Sequence, residues 1–296
     1  MKYRNFLIVI ISAVASLSSF AQSNLLNAKT PDEIGKKTPA QLISDNDKPL
    51  AYGYVHDRDV LMGKTTWEII DLDERINMPL YYPIDTANIG KDRRSLYDVL
   101  TKAMRDGKLT EVYTDSYFNT KKTLKDIQAS LTRIDTTNPG REQVNAGIPI
   151  DPQYIVKTDL GAIDVSDYKI KGYWYFDKRQ SELKYRLLGI CPVTPDVFTV
   201  GKDEQDYIEL FWVYFPAVRD ILNDAKAFND RNSAMPISFD HLLNARRFNG
   251  VIYKEENVFG DRQIDEYMKD NAQMQLLESD RVKDKIRDFE QDMWNY

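Results

Sequence analysis

The run Tyr168-Lys169-Ile170-Lys171-Gly172-Tyr173-Trp174-Tyr175-Phe176-Asp177 alternates with a period of two. Tyr168, Ile170, Trp174 and Phe176 share one face, while Lys169, Lys171, Tyr173, Tyr175 and Asp177 share the other. Successive side chains of a strand point to opposite faces, so this pattern predicts a strand with one apolar face. Asp177–Ser181 reads as a polar turn. On the return, Leu183, Tyr185, Leu187 and Cys191 line one face, with Glu182, Lys184 and Arg186 on the other. Ile208–Phe215 is apolar except for Glu209 and predicts a third strand, central and covered on both faces. Pro216 stops it and suits the first turn of a helix whose Val218, Ile221, Leu222 and Ala225 face inward. The class this predicts is α+β, an antiparallel β-meander packed with helices.

Upstream, Val60–Ile76 reads as a helix ended by Met78-Pro79, with Leu80-Tyr81-Tyr82-Pro83 as a short extended piece. Leu96, Val99, Leu100 and Ala103 have the spacing of an amphipathic helix, with Ser95 as N-cap and Gly107 as stop. Leu109–Tyr113 then reads as a strand. A similar unit follows 143 residues later, where Ser238, Phe239, Leu242-Leu243 and Asn249-Gly250 match Ser95, Leu96, Val99-Leu100 and Asp106-Gly107. It fits either a decayed duplication or a common helix-turn-strand connection met twice. Downstream, 261–296 is a charged helical segment with Val282, Ile286, Phe289 and Met293 as its apolar stripe. The expected organisation is a signal peptide at 1–21, an extended arm at 22–52, a helical αβ subdomain at 53–135 and a linker at 136–152. The meander subdomain at 153–260 and the C-terminal helical segment at 261–296 complete it.

Lys2 and Arg4, the apolar run Phe6–Val14 and the small residues of Ser19-Phe20-Ala21 make residues 1–21 a secretory signal. Without Lys2 and Arg4 the chain carries 38 basic and 46 acidic residues, a net charge of −8. An acidic exported chain with no basic stripe is poorly suited to nucleic acid or to an anionic membrane surface. Cys191 is the only cysteine, so in an oxidising compartment it has no partner within the chain, and its strand position suits a small buried hydrophobe.

Chemistry is scarce along the chain. Two His and one Cys cannot build a Cys/His zinc centre or a four-cysteine cluster, and 13 Gly leave little for phosphate-cradling turns. Gly63-Lys64-Thr65 imitates the end of a phosphate loop, but Arg58 stands where the first Gly belongs. Asp45/Asp47, Asp57/Asp59 and Asp71/Asp73 imitate the start of a calcium loop without its Gly and distal Glu. His56 and His241 have acidic sequence neighbours, which alone do not orient a base. No catalytic, cofactor-binding or metal-ligating residue is nominated, and no cofactor is expected.

Several blocks nevertheless have an unusual composition. They are Trp67 with Ile70-Asp71-Leu72, Leu80-Tyr81-Tyr82-Pro83, Trp174–Arg179, Gly189-Ile190-Cys191-Pro192 and Leu210–Pro216. Arg246-Arg247-Phe248, Asn257–Arg262 and Phe289-Glu290-Gln291-Asp292-Met293-Trp294 follow. On these the chain resembles the GldN/PorN family, periplasmic components of the type IX secretion and gliding-motility machinery. The resemblance implies a structural subunit with no catalytic residue. It also implies assembly with a GldK/PorK-like outer-membrane lipoprotein into a ring, and contact with a GldM/PorM-like protein that spans the periplasm. The expected location is the periplasm, held at the outer membrane by a partner. A glycan-active hydrolase using paired carboxylates, or a module binding glycan or peptide through Trp174 or Trp212, stands as the alternative.

Overall fold

The computed structural model describes residues 48–85, 94–149, 151–200, 202, 205–229, 237–269 and 271–294. The expected signal peptide and residues 22–47 of the expected arm lie outside them. From Pro49 onward the described residues belong to one compact unit. Its centre is an antiparallel sheet of β1 (Val60–Asp71), β2 (Asp167–Asp177), β3 (Glu182–Pro195), β4 (Tyr207–Glu209), β5 (Val213–Tyr214) and β6 (Val251–Glu255). The spatial order is β6-β1-β2-β3-β4, and β5 pairs with β3 at Gly189 and Ile190. The fold is mixed α+β, as the periodicity predicts.

The β2–β3 hairpin lies where the alternation puts it, and Asp177 closes it opposite Glu182. The Arg179 N–H donates to Asp177 Oδ1 at 2.9 Å, and Ser181 takes the left-handed φ of 53° that completes the turn. A bulge interrupts the pairing. Lys171 faces Gly189 and Gly172 faces Leu187, which leaves Leu188 unpaired. One extra residue reverses the facing of everything beyond it. Leu187 and Ile190 therefore share the main core, whereas Cys191 faces the opposite side with Trp67 and Trp212, contrary to the common face expected for Leu187 and Cys191.

The helix expected over Val60–Ile76 is instead β1, paired with β2 along its whole length from Val60–Asp177 to Asp71–Asp167. Val60, Thr65, Thr66, Ile69 and Ile70 are β-branched and suit a pleated surface. Being central, β1 buries Thr66, Trp67 and Glu68 in succession, so the usual alternation is blurred. Of Leu80–Pro83, expected to be extended, Leu80 and Tyr81 instead belong to a single helical turn, Met78–Tyr81, and Tyr82 after it takes an extended conformation. The expected third strand is also corrected. Ile208–Phe215 breaks into β4, at the far end of the strand order, and β5. Between them Trp212 exchanges backbone hydrogen bonds with Tyr113 at 2.8 Å in both directions. Leu210–Val213 are buried because the segment folds inward, not because it is a continuous central strand. Likewise, only Val112–Tyr113 of Leu109–Tyr113 is a strand, paired with Lys121–Lys122.

The helices used below are α1 (Leu96–Arg105), α2 (Phe215–Asp224), α3 (Phe239–Asn244) and α4 (Ala272–Trp294). Ser95 Oγ accepts from the Asp98 N–H and Ser238 Oγ from the His241 N–H, each at 3.2 Å, so both expected caps are present. The two helix-turn units then diverge. Gly107 takes φ of 70° after α1, but after α3 the left-handed residue is Arg246 at 48°, and the strands that follow belong to different sheets. Residues 136–152 carry a helix, Asn138–Asn145, and strands from before and after it share the main sheet.

One face of the sheet carries Ile70, Tyr168, Ile170, Leu187 and Ile190, which pack with Leu100, Phe215, Leu222 and Leu243 of the helices. Towards its other end the same face meets α4, whose Val282 and Ile286 pack on Ile252, Met62, Trp174 and Leu183. Phe289 adds an edge-to-face contact with Phe176 at 5.9 Å. The apolar stripe of α4 is thus buried on its own domain. The helix also protects the edge of β6, because the Ile252 N–H donates to Ser279 Oγ and Lys283 Nζ donates to the Gly250 carbonyl, both at 2.9 Å. An exposed edge with free donors and acceptors is a template for unwanted pairing.

Three glycines of the sheet lie under aromatic rings. A Cβ at Gly63 would meet the Tyr173 hydroxyl, one at Gly172 the Tyr185 ring, and one at Gly189 the Phe118 ring. Each ring covers the strand where the glycine itself has nothing to pack.

Candidate interaction surface

The sheet face away from the main core is built from rings and ammonium groups. Trp67 of β1 lies beneath Lys254 Nζ at 4.5 Å and Lys171 Nζ at 5.0 Å, measured to the ring centroid. Tyr117, on the turn between the short strands Val112–Tyr113 and Lys121–Lys122, stands over the same two lysines, 4.8 Å from Lys171 Nζ and 5.0 Å from Lys254 Nζ. Lys254 Nζ donates to the Tyr117 hydroxyl at 3.0 Å, and that hydroxyl donates to Asp261 Oδ2 at 2.9 Å. Burial, reinforced by Asp261, pushes the Tyr117 phenol up to about 12. Burial and the neighbouring Lys254 charge lower Lys171. Ring faces attract cations and so stabilise the two like charges at close quarters.

This cluster anchors the loop from Glu256 to Arg262. The Asn257 N–H donates to Asp261 Oδ1 at 3.2 Å, Asn257 Nδ2 donates to the Glu255 and Arg262 carbonyls at 3.2 Å, and the Phe259 N–H donates to Asn257 Oδ1 at 3.0 Å. Gly260 and Asp261 take left-handed φ values of 76° and 59°. The loop so braced leaves Val258 92% and Phe259 74% exposed.

Beside it lies an open depression lined by Val55, Asp57, Val60, Gly63, Tyr173, Tyr175 and Arg186. Tyr173 and Tyr175 stack at 6.1 Å, and Gly63 leaves room for the Tyr173 ring to lie across β1. Arg186 Nη2 donates to the Gly53 carbonyl at 3.2 Å. Its guanidinium lies 4.6 Å from the Tyr52 ring centroid, while Arg219 holds the same ring at 4.1 Å. Arg219 is itself fixed by a fork to Asp240 at 2.8 and 3.1 Å, so residues 52–53 are strapped to α2 and α3.

The sequence candidates fall as follows. Cys191 is fully buried, and burial pushes its thiol well above its ordinary range. Thiolate is the reactive form. In the folded protein Cys191 is therefore expected to resist a neutral thiol reagent up to about pH 9, near the ordinary thiol range, and to react at once in denaturant. Stoichiometric labelling without denaturant would refute that. His56 Nδ1 accepts from the Arg58 N–H at 3.4 Å and caps a short turn, and His241 lies exposed on α3. Gly63-Lys64-Thr65 is inside β1, with Lys64 paired to Glu255 at 3.1 Å. Asp71 Oδ1 accepts from the Asp73 N–H at 2.8 Å, and Asp59 lies 3.9 Å from both Arg58 and Arg179. Among the described residues no three His, Cys, Asp or Glu side chains come together as metal ligands.

Trp212, one of the two tryptophans weighed as a platform for glycan, is fully buried and donates through Nε1 to Glu209 at 2.7 Å. Trp174 is covered by Tyr185 at 4.8 Å and by the Arg246 guanidinium at 5.0 Å. Motif reading missed the cation–aromatic cluster because its members come from separate stretches of the chain. It also missed the fork of Arg246 on Glu68, with distances of 3.1 and 2.7 Å. The only sequence mark of that fork is a charged residue, Glu68, inside an apolar block.

No protein of curated function matches the chain. Over residues 55–295, from the start of the depression through α4, the sequence fits the family model described as gliding motility associated protein GldN, and the chain belongs to that family.

Proposed function

We propose that the protein is a structural, non-enzymatic subunit of the type IX secretion and gliding-motility machinery, working by assembly. Its family is associated with gliding motility and type IX secretion, and the match over residues 55–295 is the observation that carries the reading. The proposed location is the periplasm. The proposed partners are a GldK/PorK-like outer-membrane lipoprotein, with which it forms a ring, and a GldM/PorM-like protein spanning the periplasm. No helix among the described residues is long and apolar enough to cross a membrane, and the lipoprotein is the proposed membrane anchor of the assembly. Repeated contacts around a ring raise the effective affinity beyond that of any single weak interface. The braced loop, the ring-covered sheet and the buried stripe of α4 suit a rigid building block.

Co-purification from solubilised envelope, followed by particle imaging, tests the proposal. The expected result is a high-molecular-weight assembly containing the lipoprotein. A chain that stays monomeric when co-expressed with that lipoprotein overturns it.

A further inference from the structure

We infer that the strand Thr132–Thr136 of one copy pairs edge to edge with the same strand of a second copy, antiparallel and centred on Ile134. The inference goes beyond the proposed function and stands or falls separately from it. Thr132–Thr136 and Ile155–Asp159 form a two-stranded ribbon, and among the described residues no further strand or bridge pairs with either of its edges. A lone ribbon is marginal in water, and an unpaired edge is a template for another strand. Ile134, in the middle of one edge strand, is 68% exposed.

The ladder fixes which backbone groups face outward. The Leu160 N–H donates to the Leu131 carbonyl and the Thr137 N–H to the Tyr154 carbonyl, both at 2.9 Å. Antiparallel bonding alternates along a strand, so Arg133 and Asp135 turn their backbone groups toward Ile155–Asp159, and Thr132, Ile134 and Thr136 turn theirs away. The Thr132 N–H already donates to the Gln128 carbonyl of the preceding helix, and the Thr136 N–H to Asp135 Oδ1 at 2.8 Å. Among the described residues no hydrogen bond meets the outward groups of Ile134. A two-fold axis at Ile134 uses what remains. The two Ile134 residues exchange N–H and carbonyl bonds, and each Thr136 N–H turns from Asp135 to the Thr132 carbonyl of the other copy.

The same register selects a second copy of this chain by charge. Thr-Arg-Ile-Asp-Thr read antiparallel to itself about Ile134 sets each Arg133 opposite an Asp135 and each Thr132 opposite a Thr136. Arg133 and Asp135 then occupy non-hydrogen-bonded positions, where opposed side chains lie closest. Within one chain Asp135 Oδ2 meets Arg133 at 2.8 Å, while Oδ1 meets the 63% exposed Arg141 at 3.3 Å. Releasing the Thr136 N–H leaves Oδ1 open to Arg133 of the other copy. Sliding the axis by one residue, onto Arg133 or Asp135, opposes like charges instead. The other edge fails on the same ground, since Ile-Val-Lys-Thr-Asp about its centre opposes Lys157 to Lys157. A two-fold pair closes on itself, so growth into a ring would employ another surface. Two short strands bury far less than the roughly 1,600 Å² of a standard interface, so the contact is weak alone and effective by repetition.

Disulfide trapping on the full-length chain is the test, since Cys191 is buried. Opposed residues of a hydrogen-bonded antiparallel pair have Cα atoms about 5.5 Å apart, within reach of a disulfide. Under mild oxidant Ile134→Cys is therefore expected to give at least about tenfold more covalent dimer than Lys157→Cys, which reports on the other edge. Arg133→Asp or Asp135→Arg, added singly to Ile134→Cys, opposes like charges and is expected to abolish that excess. Mixing those two proteins is expected to restore it, because every Asp then faces an Arg across the axis. The contact is overturned if Ile134→Cys gives no more dimer than Lys157→Cys, if the single charge changes leave the dimer intact, or if mixing restores none of it. A thiol at 134 that cross-links to a different envelope protein and not to itself assigns the edge to that protein and also overturns the self-contact. If the lipoprotein assembly forms in any of these cases, the proposed function stands without the contact.

Discussion

Arg246→Met is expected to destabilise the protein by about 3–5 kcal/mol, because it strands the Glu68 carboxylate in the core. Glu68 is only 1% exposed, and its two oxygens are held by the two terminal nitrogens of Arg246. The guanidinium lies 4.1 Å from the Tyr185 ring centroid and 5.1 Å from that of Phe248, so packing as well as charge is lost. Gly250 makes the site possible, since a Cβ there would stand 3.0 Å from the Glu68 carboxylate. At roughly 2–4 °C per kcal/mol, the scale for somewhat smaller chains, the melting temperature should fall by about 6–20 °C. Combining Glu68→Leu with Arg246→Met should recover much of the loss, because a buried pair replaced by apolar groups sheds its own desolvation cost. Thermal unfolding of the two variants decides the matter. A wild-type melting temperature for Arg246→Met would mean that the fork contributes nothing.

Ending the chain after Asn271 is expected to have the second large effect. Loss of α4 uncovers Ile252, Met62 and Leu183 and takes away Val282 and Ile286, each buried apolar side chain contributing roughly 1.5–3 kcal/mol. It also removes Ser279 Oγ and Lys283 Nζ, the two groups that occupy the backbone of β6 at its open side. The shortened protein should therefore both lose stability and self-associate, the second effect following from the bared strand edge. Light scattering and chromatography at rising concentration would show it. A soluble, monomeric truncation with an unchanged denaturation midpoint would contradict the role given to the helix.

Much of this fold was legible wherever one face of an element is wet. The β2–β3 hairpin alternates because lysines and acids mark its second face, and Ser95 and Ser238 announce their helices because a cap is a local device. β1 was not legible for the opposite reason: Thr66, Trp67 and Glu68 are buried on both faces, which removes the contrast that periodicity needs. The orientation of Cys191 depended on a single unpaired residue, Leu188. Gly172 and Gly189, side by side with that bulge, were the available signal, since glycine inside a strand pattern marks a bulge or a close approach. The interaction surface was the least legible part. Trp67, Tyr117, Lys171, Lys254 and Asp261 meet only through the sheet register, and no local pattern encodes such a meeting. Asn257–Asp261 reads as a turn from its residue types, but the exposure of Phe259 is a property of the folded chain alone.

The ring-covered glycines tie pairs of distant positions into a single inherited choice. Enlarging Gly172 collides with Tyr185, and trimming Tyr185 first opens a gap over Gly172, so neither change is favoured without the other. The same holds for Gly63 with Tyr173 and for Gly189 with Phe118. Relatives that depart from this arrangement should therefore do so at both members of a pair together, leaving a correlated signature along the lineage that single-site drift cannot write.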